Sequence, residues 1–279
     1  MTDYSKLDTP EVLAHIFHPQ SEMRGSLPEG STDLDIEVTD GVTLGCRFHL
    51  SAPDAPTVIF FHGNGECTSD YDQIAQEYTP LGLNLFVTTY RGYGWSTGSP
   101  SVAAMMEDSG VVYDFIRKWL SVNGYSDVLF IMGRSLGSAA AIDLVLKNPD
   151  DVKGLIIESG FADTLPLAKA LGIDTEKNEI LEEECFCNCQ KIAEIKKPTL
   201  ILHGARDEMI PVAMAEKLQA DSGARNKQFM VIPGATHNTM LEHGGIHYFE
   251  TIKNFTDTIL GKNDWRSRRK KYRKQQVKG

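Results

Sequence analysis

The chain has 279 residues, 41% of them hydrophobic and 24% charged, which is ample for a folded core and excludes a disordered polypeptide. Its formal net charge of −10 is uneven: residues 262–279, KNDWRSRRKKYRKQQVKG, carry a local +8, leaving an acidic body of −18 that argues against broad nucleic-acid binding. No run approaches the ~18 apolar residues of a membrane span, the N-terminus lacks a basic start followed by an apolar core, and the five cysteines are odd in number, so reduced thiols in a cytoplasmic setting are expected.

In chain order, TPEVLAHIFHPQ reads as a short amphipathic helix docked on the body, with Pro10 near its start. Residues 34–40 and 42–50 read as an antiparallel pair turning at Asp40-Gly41. TVIFFHG (57–63) is a continuous β-rich apolar run, as in a strand covered on both faces. A helix near 68–80 and a strand at 83–90 follow, then a long helix over 101–123, a strand at VLFIMG, a helix over 136–147 and a strand at 152–160. The pattern resumes with PTLILHG (198–204), a helix from about 211, KQFMVIPG (227–234) and a helix near 246–260.

Strands alternating with helices predict an α/β fold with a mostly parallel central sheet of about eight strands and helices on both faces. Residues 1–261 read as one domain and 262–279 as a basic, solvated and flexible tail, with contact to anionic lipid, RNA or the acidic body as the alternative. Residues 161–196 interrupt the alternation with helical sequence and read as a small lid-like insertion over the sheet edge. Ligand sites in such sheets lie beyond the carboxyl ends of the strands. Four polar clusters end strands here: FFHGNG, GRSLG, HGARDE and PGATHN.

Ser135 stands between Gly133 and Gly137, at a strand-to-helix turn suited to exposing a nucleophile. A neutral hydroxyl needs a base in hydrogen-bond reach and a third group to orient that base. His237, in a loop after a strand, is the expected base; His243 (a loop residue) and His247 (on the last helix) are the competitors. Asp207 is the expected orienting acid, with Asp163 an outside candidate. The backbone amides of Leu136, at a helix start, and Asn64, in the glycine-rich loop, are the expected oxyanion donors. His62 reads as structural.

FFHGNG, TTYRGYGWSTGSPS, GRSLGSAAA, HGARDEMIPV and GATHN together resemble the α/β-hydrolase superfamily, most of all its small serine esterases and thioesterases, including bacterial esterase-like proteins and protein depalmitoylases. The resemblance spans about residues 34–260. It implies a Ser135–Asp207–His237 triad, no cofactor, a small acyl ester or thioester substrate, and a structural role for Arg91. Two other readings are a peptidase or amidase of the same fold, and a non-catalytic protein binding a ligand in the hydrolase pocket.

ECFCNCQ sets Cys185, Cys187 and Cys189 two residues apart, on one face of an extended segment. The spacing does not match a zinc site and no fourth ligand is near, so no metal is expected. Thiols lining a lid, or redox-sensitive surface thiols, are the expectation.

Overall fold

The computed structural model describes residues 3–262; of the tail read at 262–279, all but Lys262 lies outside the described residues. The strands are β1 (Ser31–Thr39), β2 (Val42–His49), β3 (Thr57–Phe61), β4 (Asn84–Val87), β5 (Leu129–Arg134), β6 (Val152–Glu158), β7 (Thr199–Gly204) and β8 (Lys227–Ile232). The helices are α1 (Pro10–Ile16), α2 (Asp72–Tyr78), α3 (Val102–Val122), α4 (Gly137–Lys147), α5 (Thr164–Ala170), α6 (Asn188–Glu194), α7 (Val212–Asp221) and α8 (Met240–Ile259).

The strands form one sheet in the order β1-β2-β4-β3-β5-β6-β7-β8. β1 and β2 form the expected antiparallel hairpin at Asp40-Gly41 and β2 joins β4 antiparallel; every later pairing is parallel. Because side chains alternate across a strand, the sheet is buried twice. Ile59, Phe61, Leu129 and Ile131 enter the core beneath α3 and α4, while Val58, Phe60, Phe130 and Met132 enter the core beneath α2 and α8.

Register decides where the polar strand ends meet. Phe61 lies beside Gly133, Arg134 beside Glu158, and Glu158 beside Leu202. The loops after β3, β5, β6 and β7 therefore leave the sheet abreast of one another.

The N-terminal segment is tied to this edge. Thr9 caps α1, and the Asp8 carboxylate accepts from the amides of Val102 (2.6 Å) and Ala103 (3.1 Å) at the start of α3. Within 161–196, α5 follows β6 directly and α6 packs on α4 and α7. The last helix starts at Met240, earlier than its pattern predicts, because its first turn is separated by a break at Gly245 (φ 49°). His243 thus sits in that first turn rather than in a loop. Among the described residues no helix is long and apolar enough to cross a membrane.

Candidate active site

β5 ends at Arg134 and α4 starts at Gly137, so the chain must reverse within Ser135 and Leu136. Ser135 adopts φ 50°, in the left-handed region that a side chain with a Cβ enters only at a cost of ~1–3 kcal/mol. Its amide donates to the Glu158 carbonyl (2.9 Å), and its carbonyl accepts from the Ser138 amide (3.0 Å) and Oγ (2.6 Å). The two flanking glycines now have a steric reason. A Cβ on Gly133 would lie 2.4 Å from the Gly137 carbonyl oxygen, and one on Gly137 would lie 2.3 Å from the Phe61 carbonyl oxygen. The helix start rests on the ends of β3 and β5 with no space for a methyl group.

His237 lies on the loop between β8 and α8. Its Nε2 is 2.9 Å from Ser135 Oγ and its Nδ1 is 2.8 Å from Asp207 Oδ2. Asp207, in the turn after β7, uses its other oxygen to accept from the amides of Ile210 (2.8 Å) and Met209 (3.1 Å). Burial alone would raise the Asp207 carboxyl; the hydrogen bond and charge of His237, the Ile210 amide and nearby His203 outweigh it and hold the carboxyl below its ordinary value. An ionised carboxylate only accepts, so Nδ1 carries the imidazole proton and Nε2 is left to accept from the serine hydroxyl.

The loop after β3 approaches from the other side. His62 is buried and its pKa is lowered by that burial, which keeps it neutral. Its Nδ1 donates to the Gly63 carbonyl (2.7 Å) and its Nε2 accepts from Thr89 (3.1 Å), the structural part expected of it. Asn64 Oδ1 accepts from Tyr93 Oη (2.6 Å) and from the His18 amide (2.9 Å), pinning the N-terminal segment over the site. Asn64, Ser135, Leu136 and His237 all line one cavity of about 210 Å³. Leu7, Ile16 and His18 form one wall; Leu167, Leu171, Ile173 and Phe186 form another.

A family model described as "Serine aminopeptidase, S33" matches residues 52–171 and 186–244, well over half of the chain. The chain belongs to this family of α/β-hydrolases. It is 32% identical over 242 residues to the Arabidopsis thaliana protein described as alpha/beta hydrolase domain-containing protein WAV2, covering 81% of this chain and 78% of that one. It is 33% identical over 243 residues to protein bem46 of Schizosaccharomyces pombe, covering 83% and 77%. Among solved structures, the Pyrococcus furiosus esterase Pf2001 superposes with a TM-score of 0.70 at 18% identity, over 87% of this chain and 98% of that one. Est1E from Butyrivibrio proteoclasticus superposes at 0.64 with 17% identity, over 82% and 99%. These two share the fold. The family match omits residues 172–185, within the stretch that breaks the strand–helix alternation.

The competing residues of this α/β-hydrolase are engaged elsewhere. His243 bonds the Thr239 carbonyl, His247 pairs with Glu250 at the surface, and Asp163 pairs with Lys217. Arg91 is held bidentately by Asp108 (2.7 Å for both contacts), away from the cavity. The cysteines do not form a lid lining. Cys185 is buried with its thiol on the Leu181 carbonyl, Cys187 takes a left-handed φ of 54° at the start of α6, and only Phe186 of that run lines the cavity. Helix α6 begins here, so the run is not the extended segment that would put three thiols on one face. Burial pushes Cys185 and Cys189 up to about 12. All five cysteines are free, and among the described residues no cluster of three or more His, Cys, Asp or Glu could hold a metal.

Sequence reasoning missed the cavity wall built by Leu7, Ile16 and His18, and a buried ionic group behind the serine. Arg134 is 8% exposed and pairs with Glu66 and with Glu158 (3.3 Å). Burial pushes Glu158 up, whereas Arg134 overcomes the burial of Glu66 and draws that carboxyl down. A signal was present: Arg134 is the single charge of β5, and Glu158 closes the apolar run Leu155–Ile157 of β6, whose other charge, Lys153, is exposed; charges at such buried positions are tolerated only when paired.

Proposed function

We propose that the protein is a serine hydrolase that cleaves carboxylic ester or thioester bonds through an acyl-enzyme. The carrying observation is the unbroken Ser135–His237–Asp207 relay, 2.9 and 2.8 Å in its two links, opening on an apolar cavity. Ser135 Oγ attacks the acyl carbon while its proton passes to His237 Nε2, and Asp207 stabilises the imidazolium that forms. The tetrahedral oxyanion is met by the amides of Leu136 and Asn64, each such donor being worth ~3 kcal/mol of barrier. Two features support that assignment. Leu136 caps α4, where orphan N–H groups favour an anion. At Asn64, His62 holds the Gly63 carbonyl, and a trans peptide then turns the Asn64 N–H the opposite way. Collapse breaks the acyl bond, with the alcohol or thiol taking the proton from Nε2. Water, deprotonated by the same nitrogen, attacks the acyl-enzyme and releases the acid.

The cavity favours a short or medium acyl chain. At about 210 Å³ it is below the ~300–1,000 Å³ typical of sites for drug-sized ligands. The aminopeptidase in the family description does not carry over well. A free α-ammonium needs an anionic partner, and among the described residues lining the cavity none is acidic. Catalysis rather than mere ligand binding is favoured because all three relay members are present and aligned.

The test is a fluorophosphonate probe read by intact mass, followed by hydrolysis of a p-nitrophenyl ester and acyl-thioester series. One adduct on the wild type and none on Ser135→Ala is expected. A folded wild type that takes no adduct would sink the proposal.

A further inference from the structure

We infer that Arg134 is a positioning residue that locks the base-bearing loop and the Gly63–Asn64 loop against the serine turn. The inference rests on the hydrolase reading and adds to it a determinant outside the triad.

Arg134 immediately precedes Ser135, so its backbone moves with the nucleophile, yet its two terminal nitrogens reach the other two loops, while Nε faces Glu158 (3.3 Å) at the end of β6. Nη2 donates to the His237 carbonyl oxygen (2.9 Å) and to Asn238 Oδ1 (3.2 Å). Nη1 donates to Glu66, whose second oxygen accepts from the Gly63 amide (2.6 Å). A planar fork with five fixed donors can hold these directions at once, which a lysine ammonium cannot.

Two observations separate this from an ordinary buried ion pair. First, the guanidinium bonds the main chain of the base residue itself. Ser135 is fixed by its strained turn and Asp207 by the Ile210 and Met209 amides, while the loop bearing His237 is held on either side of it by the Arg206 amide on the Ala235 carbonyl (2.8 Å) and by Thr239 on the Thr236 amide (2.8 Å); Arg134 supplies the bond at the carbonyl of the base residue itself. Second, the paired groups sit against the Gly63 Cα: a Cβ there would lie 2.6 Å from Arg134 Nη1 and 3.1 Å from Glu66 Oε2, so a side chain at 63 would displace the pair. The glycine-rich loop is thus packed directly against the arginine. Misplacement of a reacting group by about 1 Å costs on the order of 10²-fold in rate, and that is the loss expected without the clamp.

Arg134→Met alone strands two buried carboxylates and risks unfolding. The deciding variant is therefore Arg134→Met/Glu66→Gln/Glu158→Gln, which removes the charges together, with Arg134→Lys beside it. Three readouts are taken: thermal melting, kcat and KM on p-nitrophenyl butyrate, and the downfield proton resonance of His237 Nδ1–H, assigned by its loss in Asp207→Ala. Expected are a folded triple variant, kcat about 10²-fold lower with KM within about 2-fold, and a shifted or exchange-broadened resonance. Arg134→Lys should restore less than a tenth of the lost rate. The inference is overturned if the folded triple variant keeps kcat within about 3-fold and the resonance unchanged, or if lysine restores full rate. A wild type that neither labels nor hydrolyses, while its resonance still depends on Arg134, would sink the hydrolase reading and leave the clamp standing.

Discussion

Asp207→Asn separates charge from shape in the relay. The two oxygens of Asp207 have different duties: Oδ1 accepts from two backbone amides at 2.8 and 3.1 Å, and Oδ2 faces His237 Nδ1 at 2.8 Å. In the variant the single carbonyl oxygen must take the amides. The reverse orientation would set an NH₂ group against two N–H donors and leave both unpaired, at ~1–3 kcal/mol each. The NH₂ therefore points at His237 and donates. Nδ1 must become the acceptor, and the imidazole proton moves to Nε2, 2.9 Å from Ser135 Oγ, where it blocks uptake of the serine proton. A fall in kcat of about 10⁴-fold is expected, the size of the loss for this swap in other Ser–His–Asp sites and equivalent to ~5.5 kcal/mol of barrier. The assay is burst and steady-state hydrolysis of p-nitrophenyl butyrate, with the fluorophosphonate labelling rate and circular dichroism measured in parallel. A variant that folds normally and keeps its rate within about tenfold refutes the tautomer argument, and with it the assignment of His237 as the base.

Gly133→Ala should destabilise by about 3 kcal/mol, because the new methyl group meets backbone at 2.4 Å that cannot turn aside; urea unfolding with an unchanged midpoint would contradict this. Leu167, on the cavity wall, should set chain length: Leu167→Ala should raise, and Leu167→Trp lower, the octanoate-to-butyrate ratio of kcat/KM by about 10-fold, and equal ratios in both variants would move the acyl site elsewhere. Acid should weaken the fold through His49, whose pKa is lowered to about 4 by burial and then by the nearby Arg47 charge. Its folded pKa lies below the unfolded value of about 6.5, so the unfolded chain takes the proton first. The stability it contributes is complete above pH 6.5 and is lost as pH falls toward 4, by about 3 kcal/mol in all. His49→Gln should flatten the melting-temperature profile across that window, and an unchanged slope would exclude His49 as its source.

Much of this site was legible in the chain because its chemistry is carried by local patterns. Ser135 between two glycines at a strand end, Asp207 after a buried strand and His237 after another are each marked by a change from apolar run to polar cluster. The parallel sheet then makes every such change fall at one edge, so alternation of strand and helix was enough to predict the meeting point. Arg134 escaped because its partners Glu66, Glu158 and the His237 carbonyl come from three other segments, and a carbonyl has no sequence signature. His243 was misplaced because a glycine in the left-handed region ended the visible periodicity at Gly245 while the chain on its far side was still helical.

The sequence by itself determined the fold class, the order of the relay residues and the position of the strained turn, since these depend on hydrophobic period and on which residues tolerate close backbone approach. Only the tertiary structure decided the shape of the cavity. Its walls are Leu7 and Ile16 from the N-terminus and Leu167, Leu171 and Phe186 from beyond β6, residues more than 140 positions apart that pattern alone assigns simply to apolar faces. Which apolar face meets which is fixed by the long-range packing of α1 and α5 over the sheet edge, and that packing sets the space open beside Ser135.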